Sequence, residues 1–385
     1  MIQAVFSFPT RTVFGAGSLE HLKEWLAQRP TPQRPLVVTD PGLVTTPAFQ
    51  ALRQVLGPEK EGADWVLFPD VHPNPIEQDV IDGAAVFLKR DCTAVIAFGG
   101  GSALDVGKAI RLLLKRPGFK LENFDYRDDW NGLAPCVCIP TTAGTGSEVG
   151  RSSVIILEKT QRKGVFFHPG LLAQLVILDP VLTVGLPRLL TAATGADALT
   201  HCLESYTSPE FHPLCDGIAL EGIHLIASAL PKAVENGQDL DARGKMLVAA
   251  AMGAIAFQKD LGATHSLAHP LSTVCKLHHG LANALCLPFV MEFNAARKPG
   301  LYRRVGIALG LDVINCGGAE ADALTIACVR NLLDQIGLKL GLRAHGVNES
   351  HLDVMSEQAF LDSCHKTNPV PVTKEDLLLL YQQAL

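Results

Sequence analysis

No apolar run in this sequence is long enough to span a bilayer. The longest, MLVAAAMGAIAF at 246–257, falls short of the roughly 20 residues a helical span needs, so a membrane protein is not expected. The N-terminus, MIQAVFSFPTRTVFG, has no basic start and no sustained apolar stretch, so no export signal is expected either. Positive charge is in short supply. A formal net charge of −6 gives no electrostatic reason to expect nucleic acid or an anionic membrane surface as a partner. There are ten cysteines but no C-x-x-C pair. They are scattered from Cys92 to Cys364, and Cys136 and Cys138 sit inside an apolar strand-like run. That distribution fits buried thiols in a reducing compartment better than a disulfide scaffold. Repeats and low-complexity segments are also missing. What remains is a folded cytoplasmic chain of 385 residues, 48% hydrophobic and 19% charged, long enough for two domains or one large one.

The first half alternates short β-branched runs with helical stretches. PLVVTD (35–40), DWVLFP (64–69), TAVIAF (93–98), PCVCIP (135–140), SSVIIL (152–157) and QLVILD (174–179) read as strands buried on both faces. Amphipathic segments at 75–90 and 102–115 lie between them. Strand and helix in alternation predict a doubly wound, largely parallel sheet. Near Gly185–Pro187 the texture changes to Ala- and Leu-rich periodic segments at 192–206, 214–235, 241–259, 281–297, 319–336 and 374–384. The expected division is an α/β domain over 1–185 and an all-helical domain over 186–385.

Two strands end in small-residue loops. TAVIAFGGGSALDVGKAI (93–110) runs from strand through Gly99, Gly100, Gly101 and Ser102 into a helix. Backbone N–H groups and a helix N-terminus there can receive a phosphate. It is not a G-x-G-x-x-G fingerprint, because Leu104 stands where the last glycine belongs. It is not a Walker A loop, because Ala109 follows Lys108. IPTTAGTGSEVG (139–150) lines a second loop with Thr141, Thr142, Thr145 and Ser147. Two such loops in one doubly wound domain imply a ligand with more than one phosphate, such as a dinucleotide. Asp40 ends PLVVTD and either accepts hydrogen bonds from an adenosine ribose or belongs to an Asp-Pro-Gly turn.

The second half carries a histidine constellation. Asp197 and His201 stand at i, i+4 on one predicted helix, His265 and His269 at i, i+4 on a second, and His278 and His279 follow after Pro270. A carboxylate and several imidazoles from three segments suit a divalent first-row metal. No cysteine shares the spacing, which excludes a structural zinc knuckle.

The residues that resemble a known family run nearly the length of the chain: FSFPTRTVFGAGSLEHL, VHPNPIEQDV, FGGGSALDVGKA, IPTTAGTGSEV, LDPVLTVGLPRLLTAATGADALTHCLESY, HSLAHPLSTVCKLHHGLANALCLPFVMEFN and TNPVPVTKEDL. Together they resemble the iron-containing, group III, alcohol dehydrogenases. The resemblance implies a Rossmann-like N-terminal domain and a helical C-terminal domain, the fold shared with dehydroquinate synthase. It implies Asp197, His201, His265 and His279 as ligands of Fe(II), with zinc or another first-row ion compatible, and His269 as a proton relay. The implied NAD site comprises Asp40 and the glycine and threonine loops, with Gly99, Gly100, Gly101, Ser102, Asp105, Thr141, Thr142, Thr145 and Ser147, and Lys163 is a residue that could also reach phosphate or ribose. The implied activity is hydride transfer between NAD(H) and a small alcohol/aldehyde pair by a homodimer or larger homo-oligomer. A zinc polyol dehydrogenase and a dehydroquinate synthase-like lyase are the alternatives. The sequence departs from the pattern at Ser272 (usually glycine), at His278 (often proline) and in TNPVPVT, which lacks the frequent arginine.

Overall fold

Residue 8 and residues 10–28, 34–57 and 64–385 are described by a computed structural model, so part of the N-terminal stretch discussed above lies outside the described residues. Two compact units emerge. One comprises Phe8–Thr142 and Gly146–Leu186, the other Ala143–Thr145 and Pro187–Leu385.

In the first unit the chain runs β1 (Thr12–Phe14), α1 (His21–Ala27), β2 (Pro35–Val38), α2 (Pro47–Leu56), β3 (Val66–Phe68), α3 (Glu77–Lys89), β4 (Ala94–Gly99), α4 (Gly101–Lys115), β5 (Cys136–Pro140), β6 (Ser152–Leu157), β7 (Arg162–Phe167) and β8 (Leu175–Leu178). Six strands form one sheet in the order β1-β8-β5-β4-β2-β3, and all its pairings are parallel. Strands β2, β4, β5 and β8 are buried at every position, as helices on both faces require. Ile96, Phe98, Val137 and Ile139 face Leu22 of α1 and Phe49 and Leu52 of α2. On the other face α4 lies so close to β4 that Gly107 has room for no side chain beyond Ala97. This is the doubly wound, Rossmann-like sheet expected.

One strand is corrected. SSVIIL does form a strand, β6, but not in the parallel sheet. It pairs antiparallel with β7 in a separate two-stranded sheet. Its burial alternates instead of being complete, because only one of its faces packs, on the α4 side. An aliphatic run alone cannot separate these two situations. Strand β1 is three residues long at the sheet edge, too short to show in the sequence.

The second unit is helical: α5 (Arg188–Thr207), α6 (Pro213–Glu235), α7 (Leu240–Ala256), α8 (Ala263–Val274), α9 (His279–Arg297), α10 (Arg303–Ala308), α11 (Gly318–Gln335), α12 (Glu349–Leu361) and α13 (Lys374–Ala384). α5 is buried along nearly its whole length among α6, α7 and α9, so its polar residues must find partners inside. α6 is long and apolar enough by composition to cross a membrane. Its Ala219, Ile223, Ile226 and Leu230 are instead spent in the core. α8 continues through Pro270 to Val274.

Candidate metal and nucleotide sites

At the carboxyl end of the parallel sheet the strand order reverses between β2 and β4, the position where open α/β sheets bind nucleotides. Asp40 lies just after β2, and the three glycines run from the last residue of β4, Gly99, through Gly100 to the first residue of α4, Gly101. A Cβ on Gly99 would fall 2.8 Å from that of Ala103 and 3.1 Å from Leu43 Cδ1, and its φ of +149 is one few other residues adopt, so only glycine fits. Gly100 caps α4, leaving the first N–H groups of a 15-residue helix pointing at the same place. Asp40 accepts from the Leu43 N–H at 3.1 Å, so it forms the turn and also stands beside the glycine loop. A Cβ on Gly99 would lie 3.7 Å from its second oxygen. Burial raises the Asp40 carboxyl, and the Leu43 and Gly42 N–H groups oppose this.

Other expected nucleotide residues serve the loops themselves. Ser102 Oγ donates to the Pro73 carbonyl at 2.6 Å. Asp105 accepts from Ser147 Oγ and from Val154 N, and ion-pairs at 3.2 Å with Lys108. Lys108 is wholly buried and donates to Ser147 and to the Ser152 carbonyl. Asp105 and Lys108 thus tie the threonine loop to α4. Thr141 is buried and takes part in the sheet through its N–H to the Gly99 carbonyl. Thr142 lies beside Gly100, whose Cβ would be 3.5 Å from the threonine hydroxyl. Thr145 belongs to the short loop segment grouped with the helical unit, and half-buried Lys163 lies on β7.

In the helical unit three helices converge. Asp197 and His201 come from α5, His265 and His269 from α8, and His279 opens α9. α9 reaches α5 because residue 280 is glycine: a Cβ there would lie 2.2 Å from the Ala193 carbonyl oxygen. Ligand atoms of Asp197, His265 and His279 all lie within 4.8 Å of one another. His201 Nε2 is 3.1 Å from His265 Nε2, and His279 Nε2 is 3.7 Å from Asp197 Oδ1.

Protonation decides what this cluster can hold. His265 Nδ1 donates to Glu204 Oε2 at 2.7 Å, which leaves Nε2 with its lone pair. Glu204 also accepts from the N–H groups of Gly262 and Thr264. Burial opposes its charge, but the donors from His265 and Thr264 outweigh it and keep the carboxyl below the usual range. His201 is pushed down to about 4 by burial, so its ring is neutral at pH 7. A neutral His201, with the Nε2 atoms of His265 and His279 close to the buried Asp197 carboxyl, fits a divalent cation, and a buried carboxylate behind a ligand histidine is its usual support. Asn283 completes the shell. Its Nδ2 donates to Asp197 Oδ1 at 2.7 Å and lies 3.2 Å from His265 Nε2 and 3.3 Å from His279 Nε2.

His269 stands one turn further along α8. Its Nδ1 is 2.8 Å from Asp362 Oδ2, and its ring stacks on that of His279 at 5.3 Å and 20°. His278 is the N-cap residue of α9 and not part of the cluster. Glu204, Asn283 and Asp362 were not anticipated. The first two carry a signal, at i+7 from Asp197 and i+4 from His279. Asp362 carries none.

A Rossmann-like unit with a glycine turn at its switch point, and a helical unit in which Asp197, His201, His265 and His279 come together, suit a metal- and nucleotide-dependent enzyme. A family model described as iron-containing alcohol dehydrogenase matches residues 9–180, and one described as Fe-containing alcohol dehydrogenase family, C-terminal, matches 191–385. The chain is 37% identical over 369 residues to the 4-hydroxybutyrate dehydrogenase of Cupriavidus necator, covering 92% of each. It is 32% identical over 381 residues to the NAD-dependent methanol dehydrogenase of Bacillus methanolicus, covering 99% of each. A crystal structure of 1,3-propanediol oxidoreductase superposes with a TM-score of 0.93 at 33% identity, covering 99% of this chain and 100% of that one.

The chain belongs to the iron-containing alcohol dehydrogenase family. It is an NAD-linked oxidoreductase acting on CH–OH groups with iron as its metal, and the polyol and lyase alternatives are not favoured.

Proposed function

We propose that the chain interconverts a small alcohol and its aldehyde, with Asp197, His201, His265 and His279 holding the metal and His269 carrying the proton. The observation behind this is the meeting of those four donors on α5, α8 and α9 with Glu204 behind His265. Once bound, the ion supplies Lewis acidity toward the substrate oxygen while the nicotinamide carries the hydride. One carboxylate and three neutral imidazoles leave a divalent site with net charge +1, which suits a developing alkoxide. His269 takes up the hydroxyl proton during oxidation and returns it during reduction.

Residues 1–185 hold the NAD in this reading. The Gly99–Ser102 turn and the α4 N-terminus receive the pyrophosphate, supported by Thr141, Thr142, Thr145, Ser147 and Lys163, while Asp105 acts by fixing the loop. Asp40 accepts ribose hydroxyls and repels a 2′-phosphate, favouring NAD over NADP. Residues 186–385 hold the metal and the substrate oxygen. A homodimer or larger homo-oligomer in the cytoplasm completes the proposal.

The relatives' names supply the first substrates to try. Enzyme loaded anaerobically with Fe(II) should oxidise NADH with the aldehydes corresponding to 4-hydroxybutyrate, 1,3-propanediol or methanol, and should oxidise NADPH about tenfold or more slowly. NADH binding without turnover on any short aldehyde would contradict it.

A further inference from the structure

α8 presents two imidazoles one turn apart, and each has Nδ1 tied to a carboxylate from another element: His265 to Glu204 at 2.7 Å and His269 to Asp362 at 2.8 Å. The first pair is the support of a metal ligand. The second holds a ring outside the ligand set, and its carboxylate is firmly fixed. Asp362 Oδ1 accepts from Ser266 Oγ at 2.8 Å and from Cys364 N at 2.8 Å. Ser266 Oγ in turn accepts from His365 N at 2.8 Å, closing a loop of hydrogen bonds between α8 and the segment after α12. His269 is therefore held at its edge by Asp362 and on its face by His279.

We propose that Asp362 is the positioning residue of His269, keeping Nδ1 protonated so that Nε2 is the nitrogen that exchanges the reaction proton. The proposal rests on the reading of His269 as the proton carrier. During alcohol oxidation the O–H bond breaks and its proton goes to Nε2, while the hydride leaves carbon for NAD⁺. The imidazolium, its charge opposed by the Asp362 carboxylate, then gives the Nε2 proton to water. Reduction runs the same transfers backwards. Asp362 remains ionised throughout. Burial opposes that charge, but the His269, Cys364 and Ser266 donors hold the carboxyl far below its usual range.

The test uses metal-loaded full-length enzyme and the variants Asp362→Asn, His269→Ala and the double variant. Asp362→Asn should keep its metal content, unfold at a somewhat lower midpoint because an ionised carboxylate held by three donors is lost, leave KM little changed and lose about 10- to 100-fold in kcat. In the His269→Ala background it should cost nothing further. Nitrogen-15 NMR of the zinc-loaded protein should show the Nδ1–H tautomer of His269 in the parent and its loss in Asp362→Asn. Should Asp362→Asn fail to fold, Ser266→Ala removes one donor to the same carboxylate. It should give a smaller kcat loss, again absent without His269. Multiplicative losses in the double variant, or an unchanged tautomer in Asp362→Asn, would overturn the proposal. Full kcat in His269→Ala would overturn the proton-carrier reading instead, and the NMR tautomer would still decide the role of Asp362.

Discussion

Glu148 is a carboxyl of the threonine loop that the fold buries, with Oε1 lacking a hydrogen-bond partner among the described residues. Burial pushes it up to about 7, and Lys108 offsets this only in part. The unfolded chain releases this proton near pH 4.5, whereas the native state keeps it until about 7. The associated stability is therefore complete below pH 4.5 and is lost as pH rises through 7. At about 1.4 kcal/mol per unit this is on the order of 3 kcal/mol. Glu148→Gln, which keeps the shape and cannot ionise, should unfold near the parent's midpoint at pH 5 and several degrees higher at pH 8. Equal midpoints at pH 8 would show that Glu148 is not held protonated.

At the scale of elements, the approach of α9 to α5 depends on Gly280. Alanine there would gain about 1 kcal/mol of helix propensity. Yet its Cβ would sit 2.2 Å from the Ala193 carbonyl oxygen and 3.1 Å from Asp197 Cβ, a clash that only separation of the helices relieves. Overpacking of this kind costs about 1–3 kcal/mol. Gly280→Ala should lower both the unfolding midpoint and Fe(II) affinity, since His279 moves away from Asp197. Full metal content at an unchanged midpoint would contradict this. The elements themselves were largely readable. β2, β4, β5 and β8 are uninterrupted aliphatic runs because helices cover both sheet faces, and α5 and α8 show their site residues at i, i+4 spacing. β6 was readable as a strand, but not its place outside the parallel sheet, because pairing depends on contacts across the chain. The same limit hid Asp362, which lies 93 positions from His269 with no local periodicity linking them.

For the whole molecule, the charges are sorted by burial. The net charge is −6, yet Asp197 and Glu204 are buried and Asp105 is half-buried, and they are matched by imidazoles, N–H groups and Lys108. Replacing Asp40 with Asn, which keeps an acceptor for the Leu43 N–H and removes the charge, should narrow the NAD-to-NADP ratio of kcat/KM about tenfold. An unchanged ratio would assign cofactor preference elsewhere. The account stands most directly on the donor set, and the measurement that tests it is Fe(II) bound per chain after anaerobic loading and desalting. The parent should retain one ion, and Asp197→Ala and His265→Ala should retain essentially none while keeping their fold. One retained ion in both folded variants, or none in the parent, would contradict the site.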